Sequence, residues 1–165
     1  MESKEAMCLV IDACCIPKVF DTENQQHFNY APVLEWVSSP SGKGRIIYGG
    51  TKYGDELLNL GRYRKIIIEL KRMGRVVELP RDQVDRIAHA LKAEITDAEF
   101  NDEHLIAIVI ASKCCVVCTD DDGAIHYLKR KEFYSNRRMK RPKIYHSLDN
   151  KKLCCRKNLL ENYGE

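Results

Sequence analysis

Three consecutive carboxylates, Asp120, Asp121 and Asp122, stand between the apolar run "VVC" and a helix-forming segment. Like charges so crowded repel, so they are either fully solvated or neutralised by a cation. Other acids fall at comparable points. Asp12 ends the apolar run "MCLVI", and Asp102 opens the apolar segment "EHLIAIVIAS". Glu56 shares a helical face with Leu60, Tyr63 and Ile67, whereas its neighbour Asp55 shares one with the polar Asn59 and Arg62, so Glu56 is the acid directed inward. Each has an ordinary alternative: a helix cap for Asp102, a turn for Asp12, a helix flank for Glu56, a solvated loop for the triplet. Taken together they describe a hard-cation site, because gathered carboxylates suit Mg²⁺ or Mn²⁺. Such ions activate water and stabilise the charge that builds on a phosphate during in-line displacement.

The elements must bring these acids together. "MCLVI", "RIIYGG", "RVVEL", "CCVVC" and "PKIYH" read as short strands. Helical patterns lie between them: from Asp21 or Thr22 to about Val37, from Lys52 to about Met73 where Gly74 stops it, over 81–95 after Pro80, over 103–112, and over 122–133. The alternation predicts an α/β fold, a three-layer α/β/α arrangement around a mainly parallel sheet. In such sheets ligands sit at the carboxyl ends of the strands, where Asp12 and Asp120–Asp122 fall.

The 165 residues are expected to form one domain, 1–165, with a basic C-terminal segment over about 129–157. That segment holds twelve Lys or Arg against two acids. It therefore carries +10 of a net +3, leaving −7 on the rest. It interleaves Arg137, Arg138, Lys140 and Arg141 with Phe133, Tyr134 and Tyr145. Cations there can meet phosphates and rings can stack on unpaired bases, unless it is a solvated flank or a surface for an acidic protein. The eight cysteines lie mostly in or beside apolar runs and read as core thiols. Cys115 and Cys118 point to opposite faces of a strand, and no His pair completes a zinc set. His89, His104 and His126 read as surface or packing residues, His104 lying closest to the acids. No apolar run reaches the roughly 18 residues that span a bilayer, and the first residues do not look like a signal peptide, so the expected residence is cytoplasmic, with no membrane partner.

"CLVIDACCI", "DELLNLGR", "FNDEHLIAIVIAS" and "VVCTDDDGAI" together resemble the acidic motifs of the PIN domain family, from about Met7 to Leu128. The family has a strand ending in Asp, a helical Glu, an Asp before a helix containing "IA", and a strand followed by Thr-x-Asp. These match Asp12, Glu56, Asp102, and Thr119 with Asp121; Asp102 precedes Thr119 by seventeen residues. The resemblance implies a Mg²⁺- or Mn²⁺-dependent endoribonuclease acting on single-stranded RNA. Asp12, Asp102 and Asp121 would ligate the metal, Glu56 and Asp120 would complete the catalytic set, and Thr119 and Asp122 would assist. Whether Asp120 or Asp121 fills the Thr-x-Asp role stays open. The resemblance further implies the toxin of a toxin–antitoxin pair, with an antitoxin blocking the cleft and homodimer formation. The segment 26–51 is long for a minimal toxin. The alternative is a PIN-like module that binds RNA or protein without cutting. Two other phosphate chemistries fit poorly: Asp12-Ala13-Cys14 lacks the Asp-x-Asp of an aspartyl-phosphate phosphatase, and Leu79-Pro80 leaves no receiver aspartate after the third strand.

Overall fold

β1 (Cys8–Ile11) is central because it is apolar on both faces: Leu9, Val10 and Ile11 are all 0% exposed. The computed structural model describes residues 8–40 and 44–154, so positions 155–157 of the basic segment lie outside the described residues. Five parallel strands form the sheet in the order β3-β2-β1-β4-β5: β2 is Arg45–Gly49, β3 Val76–Leu79, β4 Val116–Cys118 and β5 Lys143–Tyr145. The strand pattern and α/β class expected from the sequence are present, and every pairing is parallel.

Helices cover the sheet. α1 (Ile16–Phe20) and α2 (His27–Ser38) follow β1; α3 (Thr51–Leu58) and α4 (Arg62–Arg72) follow β2. α5 (Arg81–Glu94) and α6 (Glu103–Ser112) follow β3, and α7 (Asp122–Leu128) and α8 (Glu132–Ser135) follow β4. α1 packs on α2 and α4, while α5 packs on α6, which lies against β1, β2 and β3. Right-handed crossovers explain this sorting: the chain steps outward from β1 to β3, then returns to β4 on the other side of β1. That reversal makes the carboxyl ends of β1 and β4 the topological switch point of the sheet.

Three helix boundaries differ from expectation, each for a local reason. The helix expected from Asp21 or Thr22 begins only at His27, because Asp21 and Asn24 turn their carboxyl and amide oxygens onto the backbone N–H groups of Glu23 and Gln26, at 3.0 and 2.8 Å. The chain before them is not a plain connection: it forms a tight 3-10 turn (Ala13–Cys15) and then α1, with Pro17 in its first turn. The helix expected over 52–73 is two helices, separated at Gly61, whose φ of 57° and ψ of −118° suit glycine. The helix expected over 122–133 also breaks. The turn at Lys129–Lys131 lets Tyr127 and Phe133 both pack on Phe100, with ring centroids 4.6 and 5.9 Å away.

Among the described residues, no helix is long and apolar enough to cross a membrane.

Candidate functional site

The β1–β4 ladder fixes the centre of the site. Val10 pairs with Val117 and Ile11 with Cys118, and the Asp12 N–H continues the ladder by donating to the Cys118 carbonyl at 2.9 Å. Asp12 and Thr119 therefore lie side by side, one residue past their strands. The Thr119 hydroxyl, itself 0% exposed, donates to Asp12 Oδ2 at 2.8 Å. Asp12 is 7% exposed, and this burial is the main reason its carboxyl is raised above the usual range. The Thr119 and Cys14 hydrogen bonds oppose the shift, as does the charge of His104, while Glu56 adds to it.

α6 brings the second acid. Asp102 occupies the N-cap position, yet its side chain makes no cap hydrogen bond. The capping role considered for it is not realised, and its half-buried carboxylate is left for other partners. Burial first, then the negative charges of Asp121 and Asp12, hold the Asp102 carboxyl above the usual range; His104 and Lys52 pull the other way. The influence of Asp121 and Asp12 on Asp102 places Asp102 near both.

α3 brings the third. Gly50, with φ of 86°, starts the helix where an added Cβ would come within 2.7 Å of Val84 Cγ1. The Thr51 N–H and hydroxyl then both donate to Asp85 of α5, at 2.8 and 2.7 Å. So seated, α3 buries Tyr53, whose hydroxyl donates to the Ile11 carbonyl at 2.5 Å, and turns Glu56 inward while Asp55 stays exposed. Glu56 Oε2 lies 3.3 Å from Nε2 of the buried His104. That distance allows charge attraction, but the alignment does not make a hydrogen bond, and neither ring nitrogen of His104 has a hydrogen-bond partner among the described residues.

The three consecutive aspartates separate. Asp120 pairs with Lys18 of α1 and accepts from the Cys15 thiol at 3.7 Å. Burial would raise its carboxyl, but the Lys18 hydrogen bond and charge hold it below the usual range. Asp121 caps α7, accepting from the N–H groups of Gly123 and Ala124 at 2.9 and 3.4 Å. Its own N–H donates to the Thr119 hydroxyl at 3.2 Å. Asp122 is exposed in the first turn of the same helix.

Carboxylates from four separate stretches of chain thus meet at the switch point. Their oxygens are not drawn tight, since no three of Asp12, Glu56, Asp102 and Asp121 bring ligand atoms within 4.8 Å of one another. Full direct coordination of Mg²⁺ at about 2.1 Å would need them closer, but this ion keeps several waters and commonly takes only one or two carboxylates directly. The donor chemistry of Asp12, Glu56, Asp102 and Asp121, carboxylates alone, is that of a hard, partly hydrated cation. The group among the described residues that does close to 4.8 Å is Cys14, Cys15 and Asp120. It is poorly set for a cation. Hydrogen bonding to Cys15, then burial, drives the Cys14 thiol far above the usual range; hydrogen bonding to Cys118, with burial, does the same for Cys15. Both hold their protons, and Lys18 already neutralises Asp120.

Sequence reasoning passed over Lys18, Lys52 and Tyr53 and assigned His104 to packing. The signal for Lys18 was Pro17, which marks a helix start five residues after Asp12. Of the four residues expected to bind nucleic acid, Arg137, Arg138, Lys140 and Arg141 are all exposed. Arg137 donates to the Phe133 carbonyl at 2.8 Å, and Arg141 to the Lys129 carbonyl at 3.2 Å. No protein-family model matches the chain, and neither a curated protein nor a solved structure matches it.

Proposed function

We propose that this chain is a Mg²⁺- or Mn²⁺-dependent endoribonuclease that hydrolyses RNA phosphodiester bonds at the carboxyl ends of β1 and β4. The observation that carries the reading is the convergence of Asp12, Asp102, Asp121 and Glu56 at the topological switch point, with Asp102 uncapped and raised by its acidic neighbours. In this reading Asp12 and Asp102 hold the cation, and Asp121 faces it from the α7 cap. When bound, the cation supplies charge neutralisation at the phosphate and acidifies water. Thr119 fixes the Asp12 carboxylate through its 2.8 Å hydrogen bond and so orients it toward the ion. Glu56 beside His104 is placed to accept a proton from attacking water or to orient it. Asp120 acts through Lys18, holding α1 against the site, instead of ligating directly.

One observation favours a second reading, a scaffold that binds RNA or protein without cutting: the open spacing of the acids. Incubating labelled single-stranded RNA with Mn²⁺, with and without chelator, separates the two. Chelator-sensitive cleavage by the wild type and its loss in Asp12→Asn support the nuclease; binding without cleavage supports the scaffold. Toxin action, an antitoxin and a homodimer belong to the same proposal and rest on the PIN-like motifs; cytoplasmic residence is proposed from the short apolar runs and the first residues of the sequence. Growth arrest on expression of the wild type but not of Asp12→Asn is the result expected for a toxin.

A further inference from the structure

We propose that a basic pocket beside the edge strand β5, apart from the acidic set, holds the phosphates of a nucleotide. The pocket encloses about 930 Å³, within the size range of small-molecule sites. Six Lys or Arg side chains line it against one carboxylate, Asp149. Lys129 and Lys131 come from the turn between α7 and α8, and Lys143 from β5. Among the described residues no carboxylate forms an ion pair with any of these three lysines. Cations gathered unpaired around a concavity repel one another, and a polyanion in the concavity relieves that repulsion.

The wall says which anion. Met139, Ile144 and Leu153 give the pocket apolar lining beside its cations. A nucleotide carries both features, a charged phosphate and a flat base, which an inorganic anion or an acidic peptide does not. The break between α7 and α8 makes the pocket, because it turns Lys129 and Lys131 toward β5 while Tyr127 and Phe133 stay on Phe100. β5 lies next to β4, so the pocket flanks the strand that delivers Thr119 and Asp121. A strand of RNA repelled by the acids would gain its attraction here. That last role rests on the nuclease reading; the affinity of the pocket for a nucleotide does not.

The test is fluorescence anisotropy on the full chain in chelator, with a labelled single-stranded RNA octamer and, separately, a fluorescent ATP analogue, across a salt series. Lys131→Ser combined with Lys143→Ser should weaken binding at least about tenfold and reduce the slope of log K against log salt by about 1.4, for two lost phosphate contacts. Arg64→Ser with Lys65→Ser, exposed on α4 and outside the lining, should change binding far less. Lys131 and Lys143 are both exposed, so the melting temperature should hold or rise. Loss of both probes identifies a pocket that takes free nucleotides; loss of the RNA alone identifies one that needs a strand. Unchanged binding of both, an equal loss from the α4 pair, or displacement of RNA by a Glu-rich peptide but not by ATP overturns the proposal. Cleavage is scored separately: a protein that binds through the pocket yet never cuts RNA sinks the nuclease reading and leaves this one standing.

Discussion

Replacing Asp12 by Asn separates catalysis from folding. The substitution removes a charge and keeps the shape, and the amide oxygen can still accept from Thr119, which donates to Asp12 at 2.8 Å. Because burial raises the Asp12 carboxyl, ionising it works against folding at neutral pH, and that penalty eases as pH falls through its folded pKa. The neutral amide carries no such penalty, so the melting temperature of Asp12→Asn should equal or exceed that of the wild type. Asp12→Ala should behave differently. It leaves the buried Thr119 hydroxyl without its acceptor, costing about 1–3 kcal/mol. In a domain of this size that lowers the melting temperature by about 2–10 °C. Cleavage should fall in both variants by about 10²–10³-fold, or roughly 3–4 kcal/mol of transition-state stabilisation, the scale seen when one preorganised electrostatic partner is removed from a dry site. Single-turnover cleavage of labelled RNA in Mn²⁺, read beside thermal melts, gives both quantities. Wild-type cleavage by Asp12→Asn would falsify the assignment of Asp12 to the cation. A melting temperature for Asp12→Asn as low as that of Asp12→Ala would show instead that its charge supports the fold.

Three further outcomes follow from the same packing. Gly50→Ala forces a side chain into a left-handed backbone and within 2.7 Å of Val84 Cγ1, so it should destabilise by at least about 1–3 kcal/mol in denaturant melts and disturb Glu56; an unchanged midpoint would remove Gly50 as the seat of α3. Asp85→Ala deletes the acceptor of both Thr51 bonds, which hold the Asp85 carboxyl below the usual range. Stability it contributes is present above about pH 4 and lost as pH falls through the depressed value, so the variant should lose stability at pH 7 and show a flatter decline between pH 5 and 3, while a parallel decline contradicts the assignment. Cys14 is exposed, yet hydrogen bonding to Cys15 holds its thiol protonated, so iodoacetamide should label it more slowly than a free thiol at pH 8, and Cys15→Ser should change that rate.

Strand positions were legible because β1 and β4 are buried on both faces and so appear as unbroken apolar runs. The helical spacing that pointed Glu56 inward does not hold, because Leu60, Tyr63 and Ile67 lie beyond the end of α3; what seats Glu56 is the burial of its α3 neighbours Tyr53 and Leu57. Helix ends were not legible, because they depend on events a window of sequence does not contain. Asp21 has the chemistry of a cap and uses it on a turn, and the α7–α8 break answers Phe100, more than twenty residues away. The site was legible in part for a related reason. Which acids reach the switch point follows from strand ends; which of them is already engaged does not. Lys18 sits in a helix too short to show a periodic pattern, and His104 looks like any polar residue inside an apolar helix until Glu56 and the acids close around it.

The three aspartates after Thr119 show how the crowding is tolerated. Repulsion among adjacent carboxylates is met by three different means: Lys18 for Asp120, the first turn of α7 for Asp121, and solvent for Asp122. No cation is needed for the triplet itself. The unrelieved charge lies elsewhere, around Asp102, whose carboxyl is raised by burial and then by Asp121 and Asp12, and at Asp12, raised by burial and by Glu56 against the Thr119 hydrogen bond. A divalent cation therefore has most to stabilise around Asp102, where α6 faces the ends of β1 and β4. It follows that Asp102→Asn should weaken Mn²⁺ binding more than Asp122→Asn, measured by calorimetry on the full chain. Equal losses from the two would move the ion to the α7 end and would make the triplet, not the β1–α6 pair, the centre of the site.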